Sequence, residues 1–336
     1  MAALDPLGGR GVADLKDIVS LVEDDLVRVE ELFEAQFQSD VGLVGEIGRY
    51  IREGGGKRIR PALLLLACRV CGYRGERAIL LASVVEFIHT ATLLHDDIID
   101  EAITRRGRRS VNHRWGNDIT VLLGDFLYTK SMSMALSQDN LRILRLLSDV
   151  TLRMIEGELL EIEGNADLEV SEAQHIDIIR RKTADLFSAC MSIGGLLGDV
   201  SEERLRALTS YGLNLGICFQ MVDDILDFTA DEKVLGKPVN NDLREGKLTL
   251  PVIYLLQRGG LPGAAAVTKV LADRGFDRVS RDELLRMARE HGAIDEARGL
   301  AERYAEAARQ DLMGFERSPY REALQALPDF ILARDH

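Results

Sequence analysis

Proline is rare in this chain, with seven in 336 residues. Ala, Leu, Arg and Glu are common instead, which disfavours a β-sandwich or barrel and predicts mostly helix. Only four cysteines occur, Cys68, Cys71, Cys190 and Cys218. They are too few and too embedded in apolar runs for a disulfide framework, and they suit a reducing, cytoplasmic setting. Basic charge is in deficit: the formal net charge is −13, which excludes a general affinity for nucleic acid, since that needs a basic surface to displace counterions from phosphates. Long apolar runs are missing too. The longest clean one, PALLLLAC at residues 61–68, falls far short of the ~20 residues of a bilayer-spanning helix. A soluble protein is expected, one able to touch a membrane surface peripherally. The opening residues MAALDPLGGRGVADLKD lack a basic start followed by an apolar stretch and carry acids, so no export or transit signal is read there.

What the chain does have is helical periodicity. After a Gly-rich leader, residues 1–12, apolar residues recur at helical spacing almost continuously, broken at glycines such as Gly54-Gly55-Gly56, Gly72, Gly107, Gly164 and Gly198. Ser171 ahead of Glu172 to Gln174 reads as a helix start, and Pro61 suits the first turn of the helix that ends near Gly72. No sheet is supported. No linker and no repeat of twenty to fifty residues divides the chain, so residues 13–336 are read as a single all-α domain. With 46% hydrophobic residues it can bury a large core.

One box recurs: DDxxD, at Asp96, Asp97, Asp100 and again at Asp223, Asp224, Asp227. His89, Thr92, Leu93, Asp96, Asp97 and Asp100 form one stripe of a helix. The rest of that helix is apolar, including Val84, Val85, Phe87, Ile88, Ala91 and Leu94. The second box repeats the design, with Gly216, Gln220, Asp223, Asp224 and Asp227 on one face among Phe219, Met221, Val222, Ile225 and Leu226. Carboxylates crowded on otherwise buried helices need a cation, because a buried charge costs several kcal/mol unless paired. Hard divalent Mg²⁺ answers with oxygen ligands, typically one or two carboxylates plus substrate phosphates; spacing alone leaves a structural Ca²⁺ site open.

Basic residues supply the counterparts for phosphate: Lys57, Arg58 and Arg60 after the glycine turn, and Arg105, Arg106, Arg108 and Arg109 beyond the first box. GGGKR is not a nucleotide-binding P-loop, because Ile51 stands where its first glycine belongs and Arg58 follows the lysine. Lys182, Lys237 and Lys247 are further cations; taken singly, each reads as an ordinary surface lysine.

Together GGGKRIRP (54–61), FIHTATLLHDDIIDEAITRRG (87–107), GDFLYTK (124–130), KTADLF (182–187), FQMVDDILDF (219–228) and GKPVNNDLREGKLTLP (236–251) resemble the trans-isoprenyl diphosphate synthase family, in particular the long-chain polyprenyl synthases that make quinone side chains. The resemblance covers residues 25–333, with every motif in order. It implies an all-helical isoprenoid-synthase fold, a homodimer, and a cavity between the two aspartate-rich helices. It also implies Mg²⁺, roughly three per site, held by Asp96, Asp97, Asp100, Asp223, Asp224 and Asp227 and bridging to an allylic diphosphate such as farnesyl diphosphate. Arg105, Lys182 and Lys237 would hold that diphosphate; Lys57, Arg60, His89 and Arg106 would hold isopentenyl diphosphate; Lys182, Thr183 and Gln220 would face the allylic cation. Short-chain members place bulky aromatics four and five positions before the first Asp of the first box. Here those positions are Thr92 and Ala91, which implies an open tunnel and a product of about eight to ten isoprene units. Phe126, Tyr128 and Met132 are candidates for its floor.

Other readings compete. Glu86-Phe-Ile-His89 and Glu172-Ala-Gln-His175 both match the Glu-x-x-His pattern of di-iron helical bundles, though that leaves both DDxxD boxes unexplained. A non-catalytic subunit of a heteromeric synthase would carry degraded boxes. A terpene cyclase would not need the set that holds a second diphosphate. Cys68-Arg-Val-Cys71 ends a helix without a preceding strand and reads as packing; His113 and Trp115 read as structural.

Overall fold

Helices form almost wherever the periodicity places them. The computed structural model describes residues 14–229 and 241–334. Its helices are α1 (Leu15–Ser20), α2 (Glu23–Ala35), α3 (Gly42–Glu53), α4 (Ile59–Val70), α5 (Arg77–Ile99), α6 (Val111–Trp115), α7 (Asn117–Leu136), α8 (Leu141–Glu163) and α9 (Glu172–Ile179). A π-helical turn, Arg180–Ala184, leads into α10 (Asp185–Leu197) and α11 (Glu202–Thr229). Then come α12 (Asn241–Glu245), α13 (Leu250–Arg258), α14 (Gly260–Asp273), α15 (Arg281–Glu290), α16 (Ala293–Asp311) and α17 (Pro319–Leu332). The leader, Lys237 and the first part of the last motif lie outside the described residues.

The core runs through α4, α5, α10 and α11. Residues Leu63 to Cys68 are fully buried, so α4 is apolar all round because helices surround it on every side. α5 packs most extensively on α7, α10 on both α4 and α11, and α11 on α16. By length and mean hydropathy α5 is the one described helix that could cross a membrane, yet most of its apolar stretch is buried inside the bundle. Glu86 and His89 break its run of apolar residues in the sequence.

The only strands among the described residues are a two-residue ladder, Thr104–Arg105 (β1) with Arg108–Arg109 (β2). Arg106 and Gly107 turn between them, both with positive φ, 52° and 74°, as a two-residue hairpin turn of this kind requires. Too short for β periodicity, the hairpin is invisible to a pattern search. α9 opens with a full capping box, the Ser171 hydroxyl accepting from the Gln174 amide and the Gln174 side chain from the Ser171 amide.

Candidate active site

The two DDxxD boxes end α5 and α11, and the π turn lies between them. Its geometry depends on two close approaches. A Cβ on Gly216 of α11 would lie 2.5 Å from the Ala184 Cα, and one on Gly157 of α8 would lie 2.7 Å from the Arg181 Cβ. Glycine at both positions lets α8 and α11 close on the turn from opposite sides, which brings Lys182 and Thr183 to the cleft.

Lys182 reaches across to α8, 2.7 Å from Glu158 and 2.5 Å from Glu161. Burial alone would lower its pKa, but Glu161 and Glu158 more than offset that and raise it. Lys247 donates to Asp100 at 3.0 Å and lies 2.9 Å from Glu245, with its side chain only 17% exposed. Neither is an ordinary surface lysine; sequence inspection cannot tell a lysine held in a cleft from one in solvent. Lys182, Thr183, Gln220, Asp224, Asp242 and Lys247 share the wall of one polar cavity of ≈ 160 Å³.

In the first box, Asp97 is buried and accepts from the Arg105 Nε at 2.6 Å. Asp96 forms no ion pair among the described residues. Burial, together with Glu158, pushes its carboxyl up to about 7, with Asp100 adding to the push and Lys182 opposing it. In the second box, Asp223 accepts from Arg334 at 2.6 Å. Asp224 accepts from Gln220 at one oxygen and lies 3.0 Å from the His175 Nε2 at the other. Asp227 takes a long bond from the Asp242 amide, 3.4 Å. Asp242 itself is pushed well up by burial and then by Asp227 and Asp224.

No three metal-ligating side chains converge on one point among the described residues. The carboxylates that line the cleft nonetheless offer hard oxygens, and burial and neighbouring acids push the carboxyls of Asp96 and Asp242 upward. That set fits a hard divalent cation rather than iron or zinc. The two Glu-x-x-His pairs do not form a shared metal site: Glu86 pairs with Arg58 and His89 with Arg60, while Glu172 accepts from Tyr254 and His175 meets Asp224.

A second, arginine-rich wall faces the other side of α5. Arg60 donates to the His89 Nε2 at 3.0 Å and buries its Nε without a partner among the described residues. Burial and then Arg60, Arg106, Arg105 and Arg58 hold the His89 pKa well below its ordinary value, so this imidazole is neutral and accepts. A Cβ on Gly56 would lie 2.7 Å from the Arg106 Nη1; glycine there lets the turn that carries Lys57 meet the hairpin. Arg58 stands apart. It occupies a left-handed conformation, φ 48°, held by Glu30 at 2.5 Å and by the buried Glu86, so its charge is already matched. Arg60 and Arg106 form no ion pair among the described residues, and burial together with the neighbouring arginines lowers the Arg106 pKa, a setting that favours an anion.

From Asp96 an apolar cavity of ≈ 480 Å³ opens between α5, α7 and α8, lined by Thr92, Ile98, Ile99, Val121, Met154, Ile155, Leu159 and Ile162 among others. Thr92 is on its wall. Ala91 is not; it lies in the core at 3% exposure, because consecutive helical residues point about 100° apart. Phe126, Tyr128 and Met132 are half-buried against the core and do not line this cavity. Cys68 is buried and Cys71 caps α4, both as free thiols, while Trp115 stacks edge-on with Tyr50 at 4.9 Å. No motif marks Arg334, Glu158 or Glu161, and His175 shows only as half of a Glu-x-x-His pair. Glu158 and Glu161 could have been found, as acids three apart on the inward face of α8; Arg334 is 111 residues from its partner Asp223 and gives no local signal.

An all-helical bundle that sets two aspartate-rich helix ends around a cationic cleft, above an apolar cavity, defines a prenyltransferase of the isoprenoid-synthase fold. Residues 41–282 match the polyprenyl synthetase family model, and the chain belongs to that family. It is 38% identical over 322 residues to the octaprenyl diphosphate synthase of Haemophilus influenzae, an alignment covering 96% of this chain and 98% of that one. A polyprenyl synthase from Caulobacter crescentus, solved with calcium and isoprenyl diphosphate, superposes with a TM-score of 0.91 at 35% identity, covering 98% of this chain and 100% of that one. A decaprenyl diphosphate synthase from Rhodobacter capsulatus gives 0.91 at 34% identity, covering 96% and 100%.

Proposed function

We propose that the chain is a long-chain trans-polyprenyl diphosphate synthase that adds isopentenyl diphosphate repeatedly to an allylic diphosphate such as farnesyl diphosphate, reaching about eight to ten isoprene units. The observation that carries this is the apolar cavity that starts at Asp96, with Thr92 on its wall where a bulky residue would close it. The octaprenyl and decaprenyl relatives support the same product class; the reading takes the product as a quinone side-chain precursor made by a cytoplasmic enzyme.

In this reading Lys182, Arg105 and Lys237 hold the allylic diphosphate, and Lys57, Arg60, His89 and Arg106 hold isopentenyl diphosphate. Asp96, Asp97, Asp100, Asp223, Asp224 and Asp227 hold Mg²⁺, roughly three ions per site. When bound, the metal neutralises charge on the departing diphosphate. The chain's own residues do the rest. Lys182 follows the developing negative charge. The Thr183 hydroxyl oxygen and the Gln220 amide oxygen, 2.9 Å apart, turn their negative ends to the allylic cation. The apolar cavity keeps water from quenching that cation. No protein base is assigned; the proton leaves with the diphosphate.

The wall of the cavity away from the core, Ile155, Leu159, Ile162 and Val121, is more than 40% exposed, and Leu122 and Leu152 extend the same face. A homodimer that covers α7 and α8 removes this surface from water. The reading treats residues 13–336 as one helical domain. Incubation with Mg²⁺, farnesyl diphosphate and labelled isopentenyl diphosphate should give labelled lipid of the stated length. A folded protein that makes none, or that consumes a single prenyl diphosphate to give a hydrocarbon, rules the proposal out.

A further inference from the structure

His175 is buried, at 6% exposure, and takes no part in the chemistry assigned above. It sits on α9, whose sequence marked it only as half of a Glu-x-x-His pair. Its Nε2 lies 3.0 Å from Asp224 Oδ2. A carboxylate can only accept, so this nitrogen carries the hydrogen. The other oxygen, Oδ1, accepts from Gln220 Nε2 at 2.9 Å, and Gln220 Oε1 in turn accepts from the Thr183 hydroxyl at 2.9 Å.

All three bonds therefore run toward Asp224. The direction has a consequence. With the Gln220 amide nitrogen committed to Asp224, its oxygen must face Thr183 and the cavity. If Asp224 could rotate or drift, the amide could flip and present an N–H to the place where positive charge develops.

The helix that carries His175 is held as a strut. The capping box at Ser171 fixes its first turn, Glu172 accepts from the Tyr254 hydroxyl of α13 at 2.5 Å, and its far end continues directly into the π turn that bears Lys182 and Thr183. One short helix thus joins the second carboxylate box to the turn that faces the substrate. Side chains fixed by packing and by outer hydrogen bonds hold a site in its productive geometry.

We propose that His175 is a positioning residue: it locks the carboxylate of Asp224 and, through Gln220, sets the orientation of the oxygens that Gln220 and Thr183 present to the substrate. This rests on the assignment of the cleft as a prenyl-transfer site. It differs from that assignment in naming a residue that touches neither substrate nor metal.

The test compares His175→Phe, which keeps the ring volume and loses the donor, with His175→Gln, whose amide nitrogen reaches to the same depth. Steady-state kinetics with farnesyl and isopentenyl diphosphates are read beside calorimetric binding of inorganic diphosphate with Mg²⁺. Expected for His175→Phe is a fall of about 10–100-fold in kcat, with KM for isopentenyl diphosphate within about two-fold of the parent, because the arginine wall is untouched. Diphosphate binding should weaken, and His175→Gln should recover most of both losses. In the Asp224→Asn background His175→Phe should add little to the loss of diphosphate binding, since the two act as a unit.

Full additivity in that background overturns the proposal. So does a His175→Phe protein that melts lower yet keeps kcat and diphosphate binding, or one that His175→Gln fails to rescue. Should the parent protein make no polyprenyl product, the functional reading falls, and the diphosphate-binding cycle still decides the role of His175.

Discussion

The two DDxxD boxes share one pattern on helices of the same kind, and the fold treats them differently. On α5 the acids are paired unevenly: Asp97 with Arg105, Asp100 with Lys247, and Asp96 in no ion pair among the described residues, its carboxyl pushed up to about 7 by burial and Glu158. On α11 the acids are held by protein donors, Asp223 by Arg334 and Asp224 by Gln220 and His175. One box carries an acid that no ion pair among the described residues compensates. The other is a hydrogen-bonded platform that orders its neighbours. Motifs of one pattern thus differ in what they contribute, and the difference lies in their surroundings.

The strongest way to break that contrast is at Asp96. Asp96→Ala should lower turnover about 10²–10³-fold in steady-state assays, the scale for removing one element of transition-state charge stabilisation. It should also stabilise the metal-free protein, by removing a half-buried acid that no ion pair among the described residues compensates. A variant that lost activity and melted lower without metal would show that Asp96 is already satisfied.

Lys247→Met removes the base that faces Asp100 and Glu245. An unfolding free energy lower by about 1.5–3 kcal/mol is expected from denaturant titration, the range for a hydrogen bond to a charged group. Added Mg²⁺ should restore part of it, since a cation near Asp100 replaces the missing charge. No recovery with Mg²⁺ would place Asp100 outside the metal's reach.

The first box also borders the cavity, so a size change there separates product length from stability. Thr92→Tyr should shorten the product, read by chromatography of the extracted lipids, with the melting temperature nearly unchanged. Ala91→Tyr should instead cost about 1–3 kcal/mol by overpacking, because Ala91 lies in the core. The reverse outcome would move the growing chain to the other face of α5.

The smallest effect is in pH. Asp96 titrates near 7 in the fold, well above its ordinary value near 4. Between those values the folded protein keeps a proton that the unfolded chain has lost, so metal-free stability is highest in acid and declines as pH rises through about 7. Thermal melts in chelator from pH 5 to 8 should show that decline. Asp96→Asn should flatten it, leaving the part that Asp242 contributes in the same direction.

Much of this was legible in the chain itself. Helical periodicity placed α4, α5, α8 and α11 because each buries a broad apolar face, and the polar stripe His89, Thr92, Asp96 and Asp100 showed against it. The Ser171 capping box was equally plain, since its signal is local. Lys247 was misjudged and Arg334 unseen for the opposite reason: each meets its carboxylate across more than a hundred residues of chain, and no local pattern reports that distance. The floor candidates Phe126, Tyr128 and Met132 had helical spacing, but spacing does not say which neighbour a helix face meets.

The sequence by itself determined that the protein is helical, that two acidic boxes sit on buried helices, and that basic groups flank the first. These follow from residue type and from a repeat of 3.6, both properties of neighbours along the chain. Only the tertiary structure decided which acid forms no ion pair among the described residues, which lysines enter the cleft, that Thr92 rather than Ala91 lines the cavity, and that His175 holds Asp224. Each of those is set by which helix faces which, and at what distance, and that is fixed when close approaches such as those at Gly157 and Gly216 lock the bundle together.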